Sequence, residues 1–247
     1  MVRSNTIDTV ASQPLPPQLA ATDNVLPLLA KYQMLPQFWR QLVIDEAIAD
    51  IVCTPAEIEA ARQQFCQQNR ITSDSGLQNW LARHYMTSQH LDEMVTRSLR
   101  IEKFKQTTWG HKLSSYFLKR KGQLDSVIYS LLRTDDLGIA QESYFRIQAN
   151  EQSFAELAQK YSQGPEAQIG GLVGPVELEL LTPGLAQRLI ASQPGQLLPP
   201  FRYKEWHVLV RLEQRLPAQL NESMRQRLLD ELFNDWLQQQ VNQQLAA

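Results

Sequence analysis

Between residues 24 and about 121 the apolar positions recur every three or four residues, the spacing of one buried helix face. In LPQFWRQLVIDEAIADIV, residues 35–52, they fall at Phe38, Leu42, Ile44, Ala47, Ile48 and Ile51. A new start follows at once. Thr54 carries a hydroxyl for an N-cap, Pro55 has the backbone angle preset for the first helical position, and Glu57 stands where a capping box needs its carboxylate. That helix runs through Phe65 and ends by Asn69. LQNWLARHY predicts another, and a long one begins near Ser88 with SQHLDEMVTRSLRIEKFKQ and continues towards WGHKLSSYFLKRK. Residues 1–22, with Pro14, Pro16 and Pro17, show no periodicity and predict a flexible arm.

After residue 122 the period changes. SVIYSLL, residues 126–132, is β-branched and aromatic and too short for a helix. EWHVLVRLE, residues 205–213, alternates Trp206, Val208, Val210 and Leu212 against His207, Leu209 and Arg211. Both predict strands. Between them lie a helix around IAQESYFRI, a second from Ser153 to about Tyr161 with a capping box of Ser153 and Glu156, and a third opened by Thr182 and Pro183. After Pro217 one stripe of Leu228, Leu229, Leu232, Phe233, Trp236, Leu237 and Val241 predicts a C-terminal helix. A solitary amphipathic helix cannot bury its own stripe, so this one is expected to return to the N-terminal helices. The expected organisation is an arm (1–22), a helical domain (23–122), an α+β domain (123–216) and a C-terminal helix (217–247).

One segment stands apart. SFAELAQKYSQGPEAQIGGLVGPV, residues 153–176, places Gly164, Gly170, Gly171 and Gly174 in what reads as a loop. Glycine permits positive φ and close backbone approach, so the loop is either a plain connection or a shaped wall beside a site.

Composition narrows the class. Hydrophobic residues at 43%, charged residues at 20% and a net charge of −2 describe a globular protein with no strong attraction to polyanions. A basic run from Arg97 to Lys121 holds eight basic residues against Glu102 alone, and with the helix-turn-helix look of LARHYMTSQHLDEM it raises the question of DNA. Residues 1–122 nevertheless balance fourteen bases against eleven acids, and the run is read as a solvated helix face, with no nucleic-acid partner. No apolar stretch has the length of a signal peptide or a membrane span, so no membrane insertion and a cytoplasmic location are expected. Cys53 and Cys66 are then reduced packing residues. His84, His90 and His111 lack companions for a metal, and neither metal nor cofactor is expected.

FAELAQKYS, GG, GPV, then PG, P and WHVLVRLE, taken in this order, resemble the parvulin family of peptidyl-prolyl cis-trans isomerases over residues 123–216. The flanking helices resemble the architecture of chaperone-foldases of the SurA and PrsA type. The resemblance implies a four-stranded antiparallel sheet covered by helices, and a groove that takes extended, proline-containing polypeptide. It assigns His207 to the last-strand histidine of the family's active ring and Ser130 to the place of the first-strand histidine. Gly164 falls on the loop cysteine or aspartate, and Leu181 and Leu185 fall on the methionine and phenylalanine of the proline pocket, with Val173 beside them. On this resemblance Ser130 and His207 meet on adjacent strands. Three functions stay open: an isomerase of weak activity, a binding module that only grips peptide, and a maturation or export adaptor. The oligomeric state is not legible.

Overall fold

The computed structural model describes residues 25–246, so the expected arm at 1–22 lies outside the described residues. The chain divides into two compact units, one containing residues to 112 together with those from 226, the other Leu113–Arg225.

The first unit is helical: α1 (Val25–Lys31), α2 (Leu35–Ala47), α3 (Pro55–Gln68), α4 (Asp74–Arg83), α5 (Ser88–Trp109) and most of α10 (Glu222–Ala246). Thr54 and Glu57 form the reciprocal capping box at the head of α3. A second box, with Thr87 as the cap and His90 at the third position, starts α5; a histidine in that place is not a usual signal. The buried face of α2 is Val43 and Ile44, joined by Ile48 just past its end, whereas Phe38 and Leu42 of the expected stripe are exposed. Val43, Ile44 and Ile48 pack with Phe233, Leu237 and Val241 of α10, bordered by Ile101 and Phe104 of α5. The C-terminal helix does return to the N-terminal helices.

Half of the basic run is consumed by this packing. Arg97 pairs with Asp45 at 2.8 Å and Lys103 with Glu57 at 2.6 Å, while Arg100 donates to the carbonyls of Ile48, Ala49 and Ile51 beyond the end of α2. Lys105, 7% exposed, binds both Glu102 and Asp230. Burial opposes its charge, but the two carboxylates outweigh burial and hold its pKa above the ordinary lysine value.

The second unit contains α6 (Leu113–Leu124), β1 (Ser126–Thr134), α7 (Leu137–Gln148), α8 (Phe154–Tyr161), β2 (Leu172–Glu177), α9 (Pro183–Ala191), β3 (Phe201–Tyr203) and β4 (Trp206–Leu216). The strands form one antiparallel sheet in the order β2-β1-β4-β3, the α+β arrangement expected. One face carries Leu132 and Leu209 against Ile147 of α7 and Phe154, Leu157 and Ala158 of α8. The other carries Val127, Tyr129, Val208, Val210 and Leu212 against Leu178 and the α9 residues Leu185 and Leu189.

Part of the glycine segment is a strand. β2 begins at Leu172, and the loop before it lies tight against β1 and α8. At Gly171, φ is +81° and an added Cβ would stand 2.7 Å from the Leu131 carbonyl oxygen and 2.9 Å from Ala158 Cβ. Gly171→Val therefore meets both backbone strain and overlap, and a loss of about 2–4 kcal/mol is expected in chemical denaturation of this unit. Unchanged stability in that variant would show that the loop can move away from the strand.

No helix among the described residues is long and apolar enough to cross a membrane.

Candidate functional site

Side chains alternate between sheet faces, so β1 sends Tyr129, Leu131 and Arg133 to one side and Ser130, Leu132 and Thr134 to the other. On β4, Trp206 and Val208 share the face of Tyr129, while His207 and Leu209 point oppositely. Leu180, Leu181, Thr182 and Leu185, leading into and along α9, close over the first face with Tyr203 and Lys204. Together they line a groove of about 260 Å³. A larger depression of about 780 Å³ lies along α7, but its lining of Gln141, Glu142, Arg146, Gln148 and Glu151 with Phe145 is a polar helix surface and lacks the apolar wall of the sheet groove.

At one end of the groove Arg133 forms a two-pronged ion pair with Glu166, Nε to Oε1 at 2.8 Å and Nη2 to Oε2 at 2.6 Å. The Ser162 hydroxyl donates to Oε1 at 2.6 Å, and the carboxylate is buried. Burial by itself pushes the Glu166 carboxyl up, yet the hydrogen bonds from Arg133 and Ser162 more than offset this and hold it below the ordinary range. The pair explains Gly164. A Cβ there would lie 2.3 Å from Arg133 Nε and 2.3 Å from Glu166 Oε2, so only glycine leaves room for it.

The groove floor is phenolic. Tyr203 accepts a hydrogen bond from the Thr182 hydroxyl at 2.8 Å. Tyr129 is 4% exposed. Burial, and secondarily the neighbouring Tyr203, raise its pKa above the ordinary tyrosine value, so it is a neutral O–H donor throughout the physiological range.

Of the residues expected at the site, Leu181 and Leu185 both line the groove. Val173 packs against the same apolar cluster from β2, opposite Tyr129, without lining the groove. Gly164 makes room for an ion pair rather than standing in for a reactive side chain. Ser130 and His207 do not meet. Ser130 pairs with Arg211, and His207 pairs with Thr134, four positions along β1. Both point away from the groove, and the Ser130 hydroxyl donates to Glu213, which also accepts from Arg211 Nε at 2.8 Å. A serine and a histidine four register pairs apart cannot share a proton, so they do not form the pair expected of them.

Sequence reading missed Tyr129, Arg133, Glu166 and Tyr203. One signal was available: the alternation in EWHVLVRLE already set His207 opposite Trp206 and Val208. For β1 the signal is weaker, because both faces of the strand are covered and polar residues fall on both, Ser130 and Thr134 on one and Arg133 on the other.

Among the described residues, no group of three or more His, Cys, Asp or Glu side chains is placed to hold a metal ion.

Residues 134–214 match the family described as Rotamase, the PPIC-type PPIase domain. Chaperone SurA of Pseudomonas fluorescens strain Pf0-1 is 37% identical over 111 residues, covering 41% of this chain and 26% of that protein. Chaperone SurA of Pseudomonas aeruginosa PAO1 is 33% identical over 111 residues with the same two coverages, 41% and 26%. The matched part thus spans about a quarter of the length of these curated relatives. The crystal structure of the peptidylprolyl isomerase PrsA from Bacillus cereus has the same fold, with a TM-score of 0.52 at 16% identity over 91% of this chain and 86% of that one.

These relatives overturn the cytoplasmic expectation, since SurA and PrsA proteins are periplasmic or secreted foldases. Compartment is set by a short address segment that takes no part in the folded body, so the patterning of the folded chain carries no information about it. The inference of a reducing environment for Cys53 and Cys66 falls with it, although both are unpaired in the structure. The fold, the groove and the family match agree on one conclusion: residues 134–214 of this chain belong to a parvulin-type, PPIC-family peptidyl-prolyl isomerase domain, within a chain whose fold is shared with PrsA from Bacillus cereus.

Proposed function

We propose that the protein is a foldase that turns X-Pro bonds of extended client polypeptides, with weak isomerase activity. The observation that carries this reading is the apolar groove over the sheet in a PPIC-type domain, walled by Leu181, Leu185 and Val208 and open beside Lys204. Rotation about the X-Pro amide faces a barrier of about 20 kcal/mol and takes tens of seconds uncatalysed. The reaction needs no nucleophile, metal or electron carrier. A twisted amide has lost its resonance and much of its charge separation, so an apolar wall that holds the proline ring favours it over the planar form. Activity is expected to be weak because no imidazole lines this groove among the described residues.

Leu181 is half-buried at the wall and tolerates a polar replacement better than the core residue Leu185. Leu181→Asp sets a charge against the proline ring, at a cost of about 2 kcal/mol or more. In two-dimensional NMR exchange on a set of X-Pro tetrapeptides, the wild type should speed cis-trans exchange, and Leu181→Asp should bind the peptides at least about tenfold more weakly. Equal affinity in the variant would move the binding site elsewhere.

A second reading is supported by the same lack of imidazole: a module that grips peptide and does not turn it. Binding of unfolded client without any acceleration of exchange would favour that reading.

A further inference from the structure

We infer that the Tyr129 phenol is the hydrogen-bond donor that meets the prolyl nitrogen as the amide twists in this groove, an inference that rests on the isomerase reading above.

The backbone gives Tyr129 an unusual setting. On the β4 side the ladder passes from Ile128↔Gln214 to Tyr129↔Leu212, leaving Glu213 as an extra residue. On the β2 side it passes from Val127↔Val176 to Tyr129↔Val173, leaving Gly174 and Pro175 opposite Ile128 alone. Two bulges thus flank β1 at one level. Bulges re-aim side chains next to active sites.

Of the polar side chains in the lining, which also include Tyr203, Lys204 and the Trp206 indole, Tyr129 alone is buried. Arg133 is committed to Glu166, and the Thr182 hydroxyl to Tyr203. Tyr129 makes no hydrogen bond to any of the described residues, yet no fully buried side-chain oxygen or nitrogen there lacks a partner. The phenol oxygen of this almost completely buried residue is therefore reached from the groove that it lines. It is a neutral donor with its valence unspent, beside the apolar wall of Leu181, Leu185 and Val208.

That wall takes a proline ring, and the ring contains the amide nitrogen. In the planar amide the nitrogen lone pair is delocalised and accepts nothing. Twisting localises it on nitrogen, where an O–H donor stabilises the transition state and leaves the ground state untouched. A donor aimed at the carbonyl oxygen would do the reverse, since that oxygen carries most charge in the planar form. The inference therefore predicts a loss of rate without a loss of affinity.

The test uses the full chain, a proline-containing tetrapeptide, NMR exchange for the rate and titration for the affinity, with a thermal melt as the folding control. Tyr129→Phe should lower the catalysed rate about tenfold at unchanged Kd. Tyr129→His, which restores an N–H donor, should recover part of that loss. A Tyr129→Phe variant as fast as wild type would overturn the inference while leaving the isomerase reading intact. So would a rise in Kd that matches the fall in rate, because the phenol would then be binding the ground state. A wild type with no acceleration removes the isomerase reading and this inference together.

Discussion

A chain ended at Pro217 is expected to lose the cooperative thermal transition of its helical unit. The deletion removes the buried Leu228, Leu229, Phe233, Leu237 and Val241, the last three of which share one core with Val43, Ile44 and Ile48, nearly two hundred residues earlier in sequence. It dissolves an aromatic cluster in which Phe104 and Trp109 stand 5.4–6.3 Å from Phe233 and Trp236, centroid to centroid. It also strips Asp230 from buried Lys105, which keeps only Glu102. Removing one large core side chain costs about 2–5 kcal/mol. Losing five, about 10–25 kcal/mol, is as large as or larger than the roughly 5–15 kcal/mol by which a domain is stable at all. Phe233→Ala alone should cost about 3–5 kcal/mol. Circular dichroism melts of the truncated and full chains decide the matter: a shortened chain that keeps the full-length transition would show that α10 is dispensable to the helical unit.

The second large effect is expected at Glu166. Glu166→Ala leaves the Arg133 guanidinium partly buried without its carboxylate, and breaking such a pair costs about 3–5 kcal/mol. The lower end applies, because the Arg133 side chain is 31% exposed and water recovers part of the charge. The pH dependence follows from the sign of the shift. The folded-state pKa of Glu166 lies below its unfolded value, so its contribution is present above the ordinary carboxylate range and fades as pH falls through the lowered value. Wild type should therefore lose stability below about pH 4, and Glu166→Ala should lack that part of the acid dependence. Gly164→Ala, whose Cβ would push into the same pair, should not add to Glu166→Ala in a double-mutant cycle. Full additivity would mean that Gly164 serves another purpose.

What the sequence shows well is what depends on residues three or four positions apart. The capping boxes of α3 and α8, the stripe of α10 and the β-branched run of β1 are all local patterns, and a helix face or a cap is decided within one or two turns. The family resemblance is of the same kind, a string of short motifs in order. Two strands escaped the local signal. β2 carries a glycine and a proline in six residues and reads as loop; only pairing with β1 makes it a strand. β3 has three residues and no periodicity to show.

The site was less legible than the fold. Leu181 and Leu185 came from motif order and lie in the groove. Ser130 and His207 came from the same order and do not, because a shift of one residue sends a side chain through the sheet, and a strand covered on both faces with polar residues on each does not mark which side is which. The groove side of β1 is fixed only when Tyr129 finds Leu212 and Ser130 finds Glu213, 83 positions away. The sequence by itself therefore determined the helices, their caps and the returning C-terminal helix, whose causes are local or follow from an unburied stripe. Tertiary structure alone decided that Tyr129 rather than Ser130 faces the groove and that Gly164 is small because Arg133 and Glu166 meet there. Strand register and close approach are properties of segments brought together across the chain, and they do not exist until it folds.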